Sequence, residues 1–313
     1  MHWHDRIGRR IKLSDLHILL AVAQNGSMAK AAHQLAVSHP VVSRSISDLE
    51  RSLGVQLLER NRRGVELTDY GRAMLSRSNA AFDELRQGVK DIESLADPTV
   101  GEVRIGTTPP LAASFVSAVV DRLVKRYPRM VFHVTVEGGE APANLIERRV
   151  DLLVFRKNRA FADERLRFDF LFESPYVVAA GTKNPWANRR RIHLGDLMGE
   201  LWALPAPHAD FGSIVMDAFR AAGLDFPRAT VVATALEMRA NLLRTGRYLT
   251  VVPEFWLRFP DRHPFIRKLP VNLPVAGGPI GIVTLKNRTL SPLARYFIEC
   301  AREVARPLAT KNP

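Results

Sequence analysis

The sequence predicts an α/β protein headed by a small all-α winged helix-turn-helix module, and three observations carry that expectation. Two short helical patterns meet at a tight turn near Ala36-Val37. An unbroken helical pattern from Asp69 to Ala96 separates them from the rest. Beyond it, strand-like and helix-like segments alternate to the C-terminus, as in an α/β fold with two subdomains.

The first helix is read from Leu16, Leu19, Leu20 and Ala23, which repeat at helical spacing behind Ser14, a good N-cap. Asn25-Gly26 marks a turn, and Ser27 is an N-cap for a second helix, Met28 to Leu35. Its alanines, Ala29, Ala31 and Ala32, let a neighbouring helix approach closely. Two short helices joined this way form a helix-turn-helix.

The next helix, residues 38–50 (SHPVVSRSISDLE), opens on Ser38, with Pro40 in the first turn where proline is tolerated. On a helical wheel Val42, Ile46, Leu49 and Leu53 fall within about 60° and form a core face. Pro40, Ser43, Arg44, Ser47 and Arg51 lie opposite. A solvated face is the plain explanation for such a pattern. Three features favour a DNA-reading face instead. Solvent-facing helices favour Lys and Glu over Ser. Small side chains let a helix sit deep in the major groove, where Ser, His and Arg reach base edges and phosphates. Asp48 and Glu50 stay near the far end of the helix. Downstream, Val55 to Leu58 and Val65 to Leu67 read as two strands around the basic turn Arg60-Asn61-Arg62-Arg63-Gly64, a wing suited to phosphate contact.

Residues 14–72 resemble the N-terminal domain of LysR-type transcriptional regulators. The likeness runs through Gly26-Ser27, Ala31-Ala32, Leu35, Ser38, Pro40, Val42-Ser43, Leu49-Glu50, Leu53-Gly54, Leu57-Leu58, Arg60, Leu67-Thr68 and Gly71. The opening RIGRRIKLSDLHILLAVAQNGSMAKAA is similar to a subgroup controlling aromatic-acid or sugar catabolism. The resemblance implies double-stranded DNA as partner. It implies DNA contacts from Ser38, His39, Pro40, Ser43 and Arg44, with Arg60, Arg62 and Arg63 in the wing; Ser27 and Ser47 join this set. The family usually carries glutamine where His39 stands, and glutamine can pair with adenine through two hydrogen bonds, so base preference there is open.

Along the long helix Ser78, Phe82, Leu85, Val89, Ile92 and Ala96 step by four and three, a heptad seam. Such a stripe is often ordinary core. Behind a DNA-binding module it fits a dimerising linker, with Phe82, Leu85, Val89 and Ile92 as the contact and two related operator half-sites as the consequence. The expected boundaries are 1–68 for the DNA-binding domain, 69–98 for the linker and 99–313 for an effector domain. Within the last, 99–169 plus 272–308 form one subdomain and 170–271 the other.

The C-terminal likeness is looser: Gly101 to Gly106, Tyr127-Pro128, Val150-Asp151-Leu152, Gly246 and Val252-Pro253. It implies a fold like the periplasmic binding proteins, with a small effector between subdomains. Thr107 and Thr108 match family positions at a helix start. Backbone N–H groups and the helix dipole favour an anion there, while plain N-capping explains them equally. Arg156 follows a strand and suits a carboxylate, although a surface arginine is the plainer reading. His208 and Phe211 belong to a loop expected to face the cleft.

Composition bounds the rest. The 313 residues carry a net charge of +13, distributed as +5 over 1–65, −3 over 66–98 and +11 over 99–313. This fits nucleic acid or an anionic effector. The one cysteine, Cys300, excludes an internal disulfide and reads as a small buried hydrophobe. With no secretory h-region and no apolar run of membrane-spanning length, the expected location is the cytoplasm, with no membrane partner. No catalytic motif, cofactor or metal site is expected; His2, His4 and Asp5 read as a frayed terminus. The expected function is an effector-responsive regulator of a catabolic operon, a homodimer or homotetramer with RNA polymerase as a further partner. Rival readings are an enzyme with a DNA-binding module, a solute-binding protein and a ligand-independent architectural DNA binder.

Overall fold

The structure, a computed structural model, describes residues 10–61, 64–97, 100–157, 161–259, 263–274 and 277–309. The chain divides into two compact units, Met1–Ile92 and Glu93–Pro313.

In the N-terminal unit, α1 (Leu13–Asn25), α2 (Met28–Gln34) and α3 (His39–Leu53) pack around Leu19, Val22, Ala31, Val42, Ile46 and Leu49. Ala31 and Ala32 of α2 sit at the centre, where a larger side chain would hold the helices apart, whereas Ala29, also expected at a helix contact, is exposed. The first helix starts before Ser14: Lys12 is the N-cap, and its N–H donates to the Asp15 carboxylate three residues on. Ser27 caps α2 as expected, accepting from Lys30 N. The wing is β1 (Leu58–Asn61) paired antiparallel with β2 (Gly64–Leu67). Gly26 ends α1 in the left-handed region (φ 60°), and its carbonyl accepts from Val65 N at 3.0 Å. A Cβ on Gly64 would lie 2.5 Å from that carbonyl oxygen, so glycine is required where the wing meets the α1–α2 turn. The long helix α4 spans Asp69–Ala96.

The C-terminal unit holds two five-stranded sheets. Chain order runs β3 (Val100–Thr107), α5 (Pro109–Leu111), a π-helical turn (Ala112–Val116), α6 (Ser117–Arg126), β4 (Arg129–Val136), α7 (Ala141–Ile146), β5 (Leu152–Arg156) and β6 (Leu166–Glu173). Then come β7 (Tyr176–Gly181), β8 (Leu201–Leu204), α8 (Asp210–Ala221), β9 (Ala229–Val232), α9 (Leu236–Leu243), β10 (Tyr248–Pro253), α10 (Glu254–Leu257) and β11 (Ile266–Lys268). β12 (Pro279–Leu285) and α11 (Pro292–Ala309) complete it. The first sheet has the order β4-β3-β5-β12-β6 and the second β11-β7-β10-β8-β9. Both are mixed: β3 runs parallel to β4 and β5, and β8 parallel to β9 and β10. β12 lies antiparallel between β5 and β6.

The boundary expected between 169 and 170 falls inside β6, which stays in the first sheet through Glu173. The chain crosses at Ser174-Pro175 and returns through 277–278. These crossovers touch: a Cβ on Gly277 would lie 1.6 Å from the Ser174 carbonyl oxygen, so only glycine fits. Cys300 is buried in α11, and burial pushes its thiol up.

Asp151, at the start of β5, staples the first subdomain. It accepts from Arg104 N at 2.8 Å and pairs with Arg104 Nη2 (3.1 Å) and Arg288 Nη2 (2.7 Å). Burial pushes its carboxyl up, but Arg288 and Arg104 outweigh burial and hold it below 3.8. The folded value lies below the unfolded one. Its contribution is therefore complete at neutral pH and is lost as pH falls through the depressed value. Asp151→Asn should lower unfolding free energy by about 3 kcal/mol in urea at pH 7, because the buried carboxylate that Arg104 and Arg288 share is lost. The wild-type advantage should shrink as pH falls below 4; a pH-independent difference would contradict the ion-pair account.

Candidate nucleic-acid interface and ligand cleft

The two faces of α3 separate as its sequence pattern requires. Val42, Ile46 and Leu49 are buried, and Leu53 is half-buried. Ser38, His39, Pro40 and Arg44 are exposed, and Ser43 and Ser47 are half-exposed. Ser38 is the N-cap residue but makes no side-chain capping bond, so its hydroxyl is not tied to the helix. Ser45 is different: it is buried, and its hydroxyl donates to Asp15 Oδ1 at 2.7 Å, locking α3 onto α1. Glu50 is not a solvated end charge. Its Oε1 accepts from Leu57 N (2.8 Å) and Leu58 N (3.2 Å), anchoring the wing's first strand to α3. Asp48 is satisfied by Arg51 at 2.7 Å, so that acid–base pair nearly cancels.

Ser27 is half-buried at the α2 start and spends its hydroxyl on capping. Arg62 and Arg63 lie outside the described residues; Arg60 belongs to β1. Val37 and Val41 are exposed beside Ser38 and Arg44, on the first turn of α3 and just before it. They are further candidates on this face that the sequence reading did not name. The helical wheel was the available signal, since it places Val41 100° from Val42 and off the core stripe. Apolar side chains there suit thymine methyl groups.

The turn between α2 and α3 places Ala36 at φ 52°, a left-handed conformation that costs an L-residue about 1–2 kcal/mol. Val37 N donates to Ala32 O at 3.0 Å and closes the turn. Ala36→Gly should raise stability in urea by about 0.5–1 kcal/mol, after the entropy glycine adds to the unfolded chain is deducted. A lower stability would mean that the turn is not strained.

The C-terminal unit contains a cavity of about 500 Å³ between its two sheets. The first subdomain contributes Thr108, Phe155 and Arg156; the second contributes Tyr176, Phe211 and Arg239. Thr108 caps α5 without a side-chain bond and reaches the cavity. Thr107 does not line it. Its side chain is fully buried, and Oγ1 donates to Val154 O at 2.8 Å, because the last strand residue turns into the sheet. His208 is exposed and also absent from the lining, whereas Phe211, in the first turn of α8, faces in.

Arg156 is not a surface arginine. Its Nη1 donates to Ser174 O (2.9 Å) and Gly278 O (2.7 Å), and its guanidinium lies 4.7 Å from the Tyr176 ring centroid. Burial lowers its pKa, opposed by Tyr176 and Glu173. Sequence reasoning missed Arg239, which is 2% exposed. Its Nη1 donates to Thr250 Oγ1 and Val251 O, both at 3.1 Å, and its guanidinium lies 5.4 Å from the Phe211 ring centroid. Burial pulls it down to about 10, opposed by Glu237. The one sequence signal was an arginine in the apolar repeat of LEMRANLL, which a solvent-facing position would also explain.

A winged helix-turn-helix and a two-subdomain ligand cleft in one chain define a ligand-responsive DNA-binding regulator. The chain belongs to the LysR family of bacterial transcriptional regulators, whose members bind DNA and small-molecule effectors and form oligomers. Residues 13–72 match the bacterial regulatory helix-turn-helix protein, lysR family, and residues 96–306 match the LysR substrate binding domain. The chain is 26% identical over 296 residues to the HTH-type transcriptional regulator TdcA of Escherichia coli (strain K12), covering 93% of each. It is 27% identical over 292 residues to the transcriptional dual regulator GltC of Bacillus subtilis (strain 168), covering 92% of this chain and 96% of that one. A cysteine-to-aspartate variant of full-length OxyR from Pseudomonas aeruginosa shares the fold at TM-score 0.68 and 20% identity, covering 97% of this chain and 99% of that one. CbnR complexed with its target DNA does so at 0.54 and 23%, covering 95% and 100%. Among the described residues, no helix is long and apolar enough to cross a membrane.

Proposed function

We propose that this regulator reads a two-fold related operator with α3 and the wing, and that a small anionic effector in the C-terminal cleft shifts how it does so. The observation that carries the reading is the exposed, small-residue first turn of α3 beside Arg44, on a helix whose other face is locked into the core. Ser38, His39, Pro40, Ser43 and Arg44 would touch bases and phosphates, and the wing would contact the backbone. The basic balance of residues 1–65 supports phosphate contact, and two cationic side chains in the cleft support an anionic effector. An effector that prefers one subunit arrangement over another shifts the population and changes DNA bending or contact with RNA polymerase. The likeness of the N-terminal stretch to regulators of aromatic-acid or sugar catabolism points to a catabolic operon in the cytoplasm.

A two-fold dimer rests on α4. Leu85, Val89 and Ile92 are 52%, 55% and 68% exposed. They continue the line of Met74, Ser78 and Ala81, which line an apolar groove in the N-terminal unit. A second copy's α4 is the occupant this continuous stripe fits, because identical stripes are self-complementary about a two-fold axis. Phe82, expected in the seam, is half-buried. Its ring lies 5.7 Å from His17's, packed on the core of its own unit.

Arg44→Ala should weaken binding to the DNA upstream of the regulator's own gene by about 1–3 kcal/mol, measured by fluorescence anisotropy across a salt series. Unchanged affinity would remove α3 from the interface, and sequence-independent binding with a steep salt slope would reduce the interaction to charge alone. Val89→Asp should convert the oligomer to a smaller species in sedimentation velocity at micromolar concentration. An unchanged sedimentation coefficient would remove the α4 seam from the assembly.

A further inference from the structure

Two cations in the cleft, the buried Arg239 and the half-buried Arg156, are unmatched by a carboxylate at ion-pair distance among the described residues. Arg104 and Arg288, in the same unit, share Asp151. The nearby acids Glu173 and Glu237 only moderate the cost. Glu137 also lines the cavity, but its two oxygens accept from Thr135 Oγ1 and Asn144 Nδ2. Each arginine keeps one buried nitrogen without a hydrogen-bond partner: Nη2 of Arg156 and Nε of Arg239. A buried charged donor left unsatisfied is costly, and an arriving anion removes that cost at each site.

The two guanidiniums belong to opposite subdomains and are separated by aromatic rings. Arg156 lies against Tyr176, Tyr176 packs on Phe211 with centroids 4.8 Å apart, and Phe211 lies under Arg239. A ligand matching this strip needs an anionic group at each end and a flat or apolar body between. Arg156 has a second property. Its Nη1 holds a carbonyl on each crossover, Ser174 on the outgoing one and Gly278 on the return. An anion on Nη2 of the same planar fork is therefore linked through one guanidinium to both crossovers, the hinge between the subdomains.

We propose that the effector is a small organic dianion, a dicarboxylate with an apolar body, that bridges Arg156 and Arg239 across the cleft and reports to the hinge through the Arg156 fork. The inference rests on the effector-cleft reading above and narrows it to one ligand class.

The test is calorimetric titration of the full-length protein with adipate and phthalate, with the matched half-acids hexanoate and benzoate, and with glucose as a neutral control. Operator binding is measured on the same preparations. A dicarboxylate should bind at least tenfold more tightly than its half-acid. Arg239→Gln should reduce that advantage to less than threefold while leaving the half-acid within threefold of its wild-type affinity. Arg156→Lys keeps the charge but loses the fork; it should retain dicarboxylate binding within tenfold and lose the effector-dependent change in operator affinity. Thermal unfolding of each variant separates lost binding from lost folding, and Arg239→Lys is the second variant if the glutamine fails to fold. Equal affinity for dicarboxylate and half-acid overturns the bridge and leaves an anion sensor. Glucose binding alone overturns both. If no compound binds while the operator is still recognised, the dicarboxylate proposal fails and the regulator assignment stands.

Discussion

One guanidinium nitrogen ties together the two chain segments that join the subdomains. Arg156 Nη1 donates to a carbonyl on each crossover, and at Gly277 those crossovers approach too closely for any side chain. The two sheets therefore meet at a narrow waist. A waist leaves a space between the sheets, lined by whatever follows each strand: Thr108 after β3, Arg156 at the end of β5, and the starts of α8 and α9. The cleft is thus a consequence of how the chain crosses.

Charge is handled differently on the two sides of that waist. Asp151 is buried with two arginines, and its low pKa shows that attraction there exceeds the desolvation cost. Arg239 is buried with neutral partners, and its lowered pKa shows the opposite balance. The first arrangement is a staple. The second is a destabilised cation whose cost a bound anion would relieve.

The N-terminal unit solves a simpler problem. A helix presented to DNA needs one face free of long side chains, and it must still be held rigidly. Val42, Ile46 and Leu49 supply the apolar hold, and two polar contacts set its angle: Ser45 to Asp15 and Glu50 to the first wing strand. Such bonds to charged groups contribute about 1.5–3 kcal/mol each. They serve α3 as positioning contacts, on the side facing away from the residues proposed to meet DNA.

Local pattern was enough to determine the helices, most strands and the recognition face from sequence, because 3.6-residue and two-residue periodicities are written in consecutive side chains. β6 carries the alternation L-R-F-D-F but was not read as a strand from the sequence, and its place in the first sheet was not legible there either. Its pairing with β12 joins residues more than a hundred positions apart and includes a bulge at Ile280/Gly281 that shifts the register. Arg156 could be nominated from its position after a strand, yet its burial and its grip on both crossovers could not. Thr107 and Thr108 are neighbours of one type, and only the twist at the strand end sends one hydroxyl into the sheet and the other to the cavity. Phe82 obeys the heptad rule and still packs inward, because the rule records a stripe and not what covers it. By itself the sequence determined most of the helices and strands, though not β6 or β11, and which face of α3 is small and polar. Tertiary structure alone decided which charges lack a partner, since an ion pair depends on distance between residues that no local pattern brings together.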